Sequence, residues 1–259
     1  MPHAAKDRAV TLAIIGGSGL YRLDETSPAE DHFIATPYAE APVQLTFEHT
    51  PAGAAWFLPR HGRNHNVAPH LINYRANLWA LREVGIDTIV AINAVGGIAE
   101  RMKPGALVLP DQLIDYSWSR EHTFFAGAHA LDKHVDFTFP YDKDLGLLLQ
   151  QSAHMLDLDI QLGGVYACTQ GPRLETAAEI RRLKQEGCDV VGMTGMPEAG
   201  LARELGMRYA CLALVVNMAA GLGAEAITHD DIAQQLRVGI AKVRAILLAA
   251  LPQLTQTRG

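Results

Sequence analysis

Thr169-Gln170-Gly171-Pro172-Arg173-Leu174-Glu175-Thr176, a helical run, and then Val190-Val191-Gly192-Met193-Thr194-Gly195-Met196-Pro197-Glu198 form the stretch on which the reading of this chain turns. The polar loop ends at Thr176, whose spacing from Glu179 is that of a capping box, so Thr176 is the expected N-cap of a helix over roughly 177–186. Asp189 to Gly192 reads as a buried strand that runs into Met193-Thr194 and then into a helix begun by proline. A hydroxyl, a thioether and a helix start therefore converge on one strand end. In α/β sheets ligands sit at such carboxyl ends, and helix N-termini favour anions. An ordinary strand–loop–helix junction has the same pattern, so the other segments must decide.

Working outward, two more strands end in small residues. Ala9 to Ile15 reads as a buried first strand entering Gly16-Gly17-Ser18-Gly19-Leu20. Such a turn lets backbone N–H groups approach a phosphate closely, and it equally suits a purely structural turn. It is not a dinucleotide fingerprint, because Arg22 stands where the third glycine belongs, and it is neither a P-loop nor a nucleophile elbow. Thr88 to Ile92 is a near-continuous apolar strand, as expected where both faces are covered, and leads into Asn93-Ala94-Val95-Gly96-Gly97. Between these strands, residues 36–59 alternate like a meander and end at Pro59-Arg60-His61-Gly62-Arg63-Asn64-His65-Asn66. The arginine fork suits phosphate oxygens. His61 and His65 invite a metal reading, but no third ligand stands at suitable spacing, and an oxyanion site fits the pairing of Arg with His better.

His70 to Val84 has helical periodicity through Leu71, Tyr74, Leu78 and Leu81 and ends at Gly85. Pro104 to Ile114 suggests a strand pair, and residues 115–142 form an irregular, aromatic-rich loop of the kind found at sites or interfaces. Asp142 to Asp157 reads as helix, Gly163 to Cys168 as strand, and Tyr209 to Val216 as a strand ending at Asn217-Met218-Ala219-Ala220-Gly221. A flexible-looking segment runs to Ile227. Thr228 is the expected cap of a last helix with Ile232, Leu236, Ile240, Val243 and Leu247 on one face, ended by Pro252 and a polar tail. Alternating strands and helices without a linker or repeat imply one α/β domain over 1–259, with short flexible ends at 1–8 and 253–259.

Composition bounds the function classes. Of 259 residues 49% are hydrophobic, enough for a large core, and the net charge of −6 comes without a basic stripe, which argues against nucleic-acid binding. No apolar run reaches the length of a membrane span, and Met1 to Arg8 lacks the apolar region of a signal peptide, so a cytoplasmic location is expected. Cys168, Cys188 and Cys211 form no CxxC pair and suit buried reduced thiols.

Taken together, the segments resemble the trimeric purine nucleoside phosphorylases, in particular their methylthioadenosine phosphorylase branch. The resemblance covers almost the whole chain and rests on Gly16-Gly17-Ser18-Gly19-Leu20, Arg60-His61-Gly62-Arg63, Asn73-Tyr74-Arg75-Ala76-Asn77, Gly171-Pro172-Arg173, and Met193-Thr194 followed by Pro197-Glu198. It implies a nucleoside phosphorylase fold, a central mixed β-sheet flanked by helices. It also implies phosphorolysis: inorganic phosphate attacks C1′ of a purine nucleoside, giving free purine and a ribose 1-phosphate. Carried over by motif, Ser18, Arg60, His61 and Thr194 hold phosphate, with Asn93 and Ala94 beside them, although Asn93 stands where the family commonly has a hydroxyl residue. Met193 lies under the ribose, and Asn217, Met218 and Ala219 face the base; Arg60, His61 and Asn217 carry the catalysis. The resemblance further implies a homotrimer with sites near subunit interfaces, His134 approaching a neighbour's site. Phosphate is a co-substrate, and no cofactor or metal is implied.

Two positions depart from the adenine-type pattern. The methylthioadenosine enzymes present aspartates where this chain has Asn217 and Ala219. A 6-oxo group is an acceptor and wants a donor, and Asn supplies an NH₂ that an ionised Asp lacks. Hypoxanthine and guanine also carry N1–H, which Glu175, matching a base-binding Glu of the 6-oxopurine phosphorylases, can accept; the plain alternative is an acid stabilising a helix start. His229 matches approximately the position that separates a 5′-hydroxyl from a 5′-methylthio substituent. Inosine or guanosine and S-methyl-5′-thioinosine both remain open as substrates. An adenine-type methylthioadenosine phosphorylase and a non-catalytic nucleoside- or phosphate-binding protein are the competing expectations.

Overall fold

A computed structural model describes residues 11–125, 133–223 and 229–255. The expectations for Met1 to Arg8, for Thr228 as a helix cap, for the segment ending at Ile227 and for the last four residues lie outside the described residues, as does the side chain of His229.

Among the described residues, eleven strands join in one mixed sheet. Its hub is β5 (Thr88–Gly97), a run of β-branched and small residues buried almost throughout, which is the pattern of a strand covered on both faces. β5 runs parallel to β1 (Leu12–Gly16) on one edge and to β11 (Arg208–Met218) on the other, and its last two residues also pair with β10 (Val190–Gly192) in the antiparallel sense. Beyond β1 the expected meander appears as β4 (Gly53–Pro59), β3 (Ala39–Thr50) and β2 (Ala29–Thr36). Beyond β10 come β9 (Val165–Cys168) and β7 (Gln112–Asp115). β6 (Leu107–Leu109) pairs with β11 and with the two-residue β8 (Gln161–Leu162).

The strand pair expected over 104–114 is therefore two strands that do not pair with each other. The chain leaves β6 at Pro110, which has no N–H to donate to a ladder, and enters β7 beside β9.

The helices cover both faces. α5 (His229–Leu254) and α2 (Lys143–Met155) bury Val243, Ile246, Leu247, Leu145 and Leu149 against the even-numbered residues Leu212, Leu214 and Val216 of β11. α1 (Tyr74–Glu83) and α4 (Glu198–Glu204) cover the odd-numbered Tyr209, Cys211, Ala213 and Val215. α3 (Ala177–Gln185) packs Ile180 and Leu183 on Ala167 and Val191. Its capping box is present as expected, Thr176 accepting from the Glu179 N–H at 3.1 Å and Glu179 accepting from the Thr176 N–H at 2.7 Å.

Three boundaries differ from expectation. α1 begins at Tyr74 rather than near His70, because the Asn73 side chain accepts the Ala76 N–H at 3.0 Å and caps the helix there; Leu71, counted on the core face, lies in a 3₁₀ turn and is 67% exposed. Pro197 is the N-cap of α4, so the first helical residue is Glu198. α5 runs through Pro252 to Leu254, a proline so near the end disturbing only the last turn. No helix among the described residues is long and apolar enough to cross a membrane.

Candidate active site

Four strands deliver their carboxyl ends to one cavity of about 190 Å³, and the turn after β1 closes it. Gly17 and Ser18 follow β1; Arg60 and His61 follow β4; Ala94 to Gly96 end β5; Val191 to Thr194 belong to β10 and its exit; Val216, Asn217, Ala219 and Ala220 come from β11 and the residues after it. Leu174 and Glu175, just before the α3 cap, form a further wall. Ser18, Arg60, His61, Ala94, Thr194, Met193, Asn217, Ala219 and Glu175 thus converge, although they are spread over 200 residues of sequence.

The glycine turn is shaped by contact. A Cβ on Gly17 would stand 2.4 Å from the Ile92 carbonyl oxygen and 3.3 Å from Arg60 Nη1, so only glycine lets this turn approach both β5 and the guanidinium.

Arg60 is wholly buried. Its Nε and Nη2 donate to the two carboxylate oxygens of Glu198 at 2.6 and 2.7 Å, and Nη1 donates to the Ile92 carbonyl at 2.9 Å. Glu198 also accepts the Tyr209 hydroxyl at 2.8 Å. Burial opposes the Arg60 charge, but Glu198 outweighs it and holds the guanidinium above its ordinary range. Three of the five N–H groups are committed among the described residues, and two stay available on a side chain that lines the cavity. The fork is thus aimed by its neighbours before any anion arrives.

His61 donates Nδ1–H to the Val67 carbonyl, 2.8 Å away, which leaves Nε2 as the acceptor. Burial, helped by the Arg60 charge, pushes its pKa down to about 4, so the ring is neutral at pH 7. The His61 and His65 rings lie 4.8 Å apart, and no group of three or more His, Cys, Asp or Glu that could hold a metal occurs among the described residues.

Asn93 does not line the cavity. It is 1% exposed and lies behind Thr194, donating Nδ2–H to Thr194 Oγ1 at 2.8 Å while its own oxygen accepts the Cys211 thiol at 3.3 Å. Because Thr194 Oγ1 is an acceptor toward Asn93, its proton is free to point elsewhere, as a donor toward a cavity anion. Asn93 therefore orients a hydroxyl where the sequence suggested a contact of its own.

The far end of the cavity is built by a β-bulge. The β11–β5 register pairs Val215 with Val95 and Asn217 with Gly96, which leaves Val216 as the extra residue. Val216 and Asn217 consequently both reach the cavity, something a regular strand with alternating faces does not allow. Asn217 donates Nδ2–H to the Met218 carbonyl at 2.8 Å; Met218 itself, expected at the base, does not line the cavity. Glu175 stands before the N-cap rather than in the first turn of α3, and its carboxylate accepts the Thr169 hydroxyl at 2.6 Å. Its side-chain bond is thus to the loop leaving β9 and not to an N–H of α3. Gly171 packs so closely on the Met193 thioether that a Cβ would meet Sδ at 2.5 Å. His134 is exposed and away from the cavity, and the His229 backbone opens α5.

The sequence reading gave no role to Glu198, which holds Arg60, to Tyr209, which bonds Glu198, or to Leu174, Val216 and Ile232, which line the walls. Glu198 stands in one of the family motifs without a role there, and it also stands out as a lone acid in an otherwise apolar run from Met196 to Ala202.

Comparison with known proteins gives a consistent picture. The model of the phosphorylase superfamily matches residues 11–252. A protein of Pseudomonas syringae pv. tomato named "Probable S-methyl-5'-thioinosine phosphorylase" is 48% identical over 92% of this chain and 97% of its own length. The 6-oxopurine nucleoside phosphorylase of Pyrococcus furiosus is 43% identical, over 95% of this chain and 94% of that protein. Among solved structures, the methylthioadenosine phosphorylase of Schistosoma mansoni in complex with adenine superposes with a TM-score of 0.88 at 30% identity, covering 96% of this chain and 93% of that one.

Proposed function

The chain belongs to the phosphorylase superfamily, and on that premise we propose that it is a purine nucleoside phosphorylase, a pentosyltransferase that cleaves 6-oxopurine nucleosides with inorganic phosphate. The observation that carries the reading is the pairing at the two ends of one cavity. A pre-aimed arginine with hydroxyls and glycine N–H groups lies at one end, and an amide donor with a carboxylate acceptor lies at the other. Curated relatives at 43–48% identity carry methylthioinosine and 6-oxopurine names, which supports the same reading.

In the mechanism proposed, phosphate sits against Arg60, Ser18, Thr194 and His61, and attacks C1′ of a ribose resting on Met193. Bond breaking to the base runs ahead of bond making to phosphate, so the sugar passes through an oxocarbenium-like state. The anion beside it stabilises the positive charge, and the Arg60 fork keeps that anion in place without reorganisation. His61 Nε2, being an acceptor, takes a hydrogen bond from a protonated phosphate oxygen. At the base, Asn217 turns from the Met218 carbonyl to donate to the purine, which takes the pair of the broken C1′–N bond and leaves as an anion to be protonated from water, while Glu175 accepts N1–H. Adenine has no N1–H for Glu175 to accept, while Asn217 can flip its amide to take the 6-amino group on Oδ1, so Glu175 carries most of the discrimination. Phosphate is a co-substrate here, and the residues named suffice for the chemistry without a metal or other cofactor.

The solved neighbours named for methylthioadenosine favour a second reading, an adenine-type enzyme. A panel of inosine, guanosine, adenosine, S-methyl-5′-thioinosine and S-methyl-5′-thioadenosine, each with and without phosphate, separates the two. Phosphate-dependent release of hypoxanthine or guanine with little adenine supports the proposal, and equal release of adenine sinks it. The same panel with His229→Ala reads the 5′ substituent: a loss confined to 5′-hydroxyl substrates assigns that residue to the sugar. The proposed assembly is a homotrimer in the cytoplasm with His134 near a neighbour's site, which sedimentation of the intact chain and a His134→Ala KM measurement test.

A further inference from the structure

Arg120 lies in the irregular aromatic segment after β7, is 8% exposed, and touches neither the cavity nor any carboxylate in its hydrogen bonds. Its guanidinium instead collects acceptors from two loops. Nη2 donates to the carbonyls of Thr169 and Gln170 at 3.1 and 2.7 Å, and Nε donates to the Gln170 side-chain oxygen at 3.1 Å. Nη1 donates to the carbonyls of Met193 and Met196 at 2.8 and 2.5 Å, with the Tyr74 hydroxyl at 3.4 Å and the Tyr74 ring 5.6 Å below the cation. The N–H groups are saturated, so none remains for a ligand.

The two loops are those that leave β9 and β10. Their carbonyls lie past the paired ends of the strands, where buried backbone acceptors need another partner. One loop leads to Glu175, whose carboxylate is held by the Thr169 hydroxyl at 2.6 Å. The other carries Met193 and Thr194. Gly171 presses on the Met193 thioether between them. A planar fork with donors on three edges binds both loops at once; an ammonium group, a point donor on a flexible stem, cannot span the same acceptors.

We infer that Arg120 is a positioning residue for nucleoside selectivity. It locks the loop bearing Glu175 to the loop bearing Met193, and so sets the distance between the base-reading carboxylate and the ribose floor. The inference rests on the proposed 6-oxopurine reading. Of the residues placed at the phosphate, Thr194 alone rides on a loop that Arg120 holds, whereas Ser18, Arg60 and His61 follow β1 and β4, so the nucleoside end depends on Arg120 more than the phosphate end does.

The test compares the wild-type chain with Arg120→Lys on 6-oxo and 6-amino nucleosides, with phosphate varied separately. The expected result is a rise in nucleoside KM of about tenfold or more and a fall of similar size in the 6-oxo to 6-amino ratio of kcat/KM, with a smaller rise in phosphate KM through Thr194. A merely structural role lowers the thermal midpoint and the active fraction but leaves both KM values and the ratio where they were, and that result overturns the inference. Should Arg120→Lys fail to fold, Thr169→Val carries the test. It keeps the arginine and removes the hydroxyl that bonds Glu175 at 2.6 Å and reaches the Gly192 carbonyl at 3.4 Å, and it must lower selectivity with phosphate KM unchanged; unchanged selectivity overturns the inference. If the wild-type chain shows no phosphate-dependent preference for 6-oxopurines, the functional proposal has failed first. A wild type that discriminates beside a Lys variant that discriminates equally well removes the role of Arg120 alone.

Discussion

Replacing Glu198 by Gln tests what the buried ion pair contributes. Both side chains of the Arg60–Glu198 pair are 0% exposed, and the carboxylate takes two short charge-assisted bonds from Arg60 and one from Tyr209. Gln keeps the shape but loses the charge, and its amide turns an NH₂ toward one of the donors it should accept from. Leaving a buried charge uncompensated costs about 3–5 kcal/mol. At about 2–4 °C per kcal/mol for a chain of this size, the thermal midpoint should fall by about 10 °C. The decisive comparison is the double variant Arg60→Met with Glu198→Leu. Burying an ion pair costs desolvation that apolar residues of similar volume avoid, so the double variant should unfold above Glu198→Gln, even with the Tyr209 hydroxyl left unpaired. It should nevertheless be inactive. Calorimetry reads the midpoints, and phosphate-dependent base release reads activity. A Glu198→Gln midpoint within about 2 °C of wild type, or a double variant no more stable than the single one, refutes the reasoning.

Other predictions follow from the same geometry. His61 titrates at about 4 in the fold against 6.5 ordinarily, so below 6.5 the unfolded chain binds the extra proton and stability falls as pH drops from 6.5 through 4. At about 1.4 kcal/mol per pH unit, charging this buried ring costs the fold about 3 kcal/mol by the time pH has fallen to 4, and His61→Asn, followed by urea unfolding between pH 7 and 4, should flatten that part of the profile. Asn217→Asp should lower kcat/KM for 6-oxopurine nucleosides by about 10²-fold and raise the share of adenine release, read on the same nucleoside panel. Gly17→Ala sets a methyl group against the Ile92 carbonyl and Arg60, and should raise phosphate KM more than nucleoside KM while lowering stability by about 1–3 kcal/mol.

The parts of the fold written in local chemistry were legible. The capping box at Thr176 and Glu179, the apolar run of β5 and the glycine turn after β1 all stand where the residues put them. The elements misjudged were those settled by distant partners. Whether β6 and β7 pair with each other depends on β9 and β11, and Leu71 fits a helical pattern that Asn73 interrupts with its own side chain. Convergence of the family-matched residues on the cavity follows the strand ends, which periodicity locates well. The supports did not show. Glu198 lies 138 positions from Arg60, and Arg120 sits among polar neighbours in a loop with no period to read. Asn93 shows the limit from the other side: its position was found, but the direction its amide faces depends on Cys211, a residue 118 positions away.

The extra residue in β11 sets ladder regularity against the chemistry of the cavity. Deleting Val216 would let the strand pair without interruption beside β5, with Val215 and Asn217 still opposite Val95 and Gly96. The same deletion would place Asn217 directly after Val215 and so on the opposite face, in the direction Val216 now takes, leaving one side chain at this point where two now reach the cavity. A library selected only for folding would accept such a shortening, whereas one selected for turnover would discard it. Strand length at this point thus sets how many side chains β11 lends to the cavity, a demand that the ladder alone does not make.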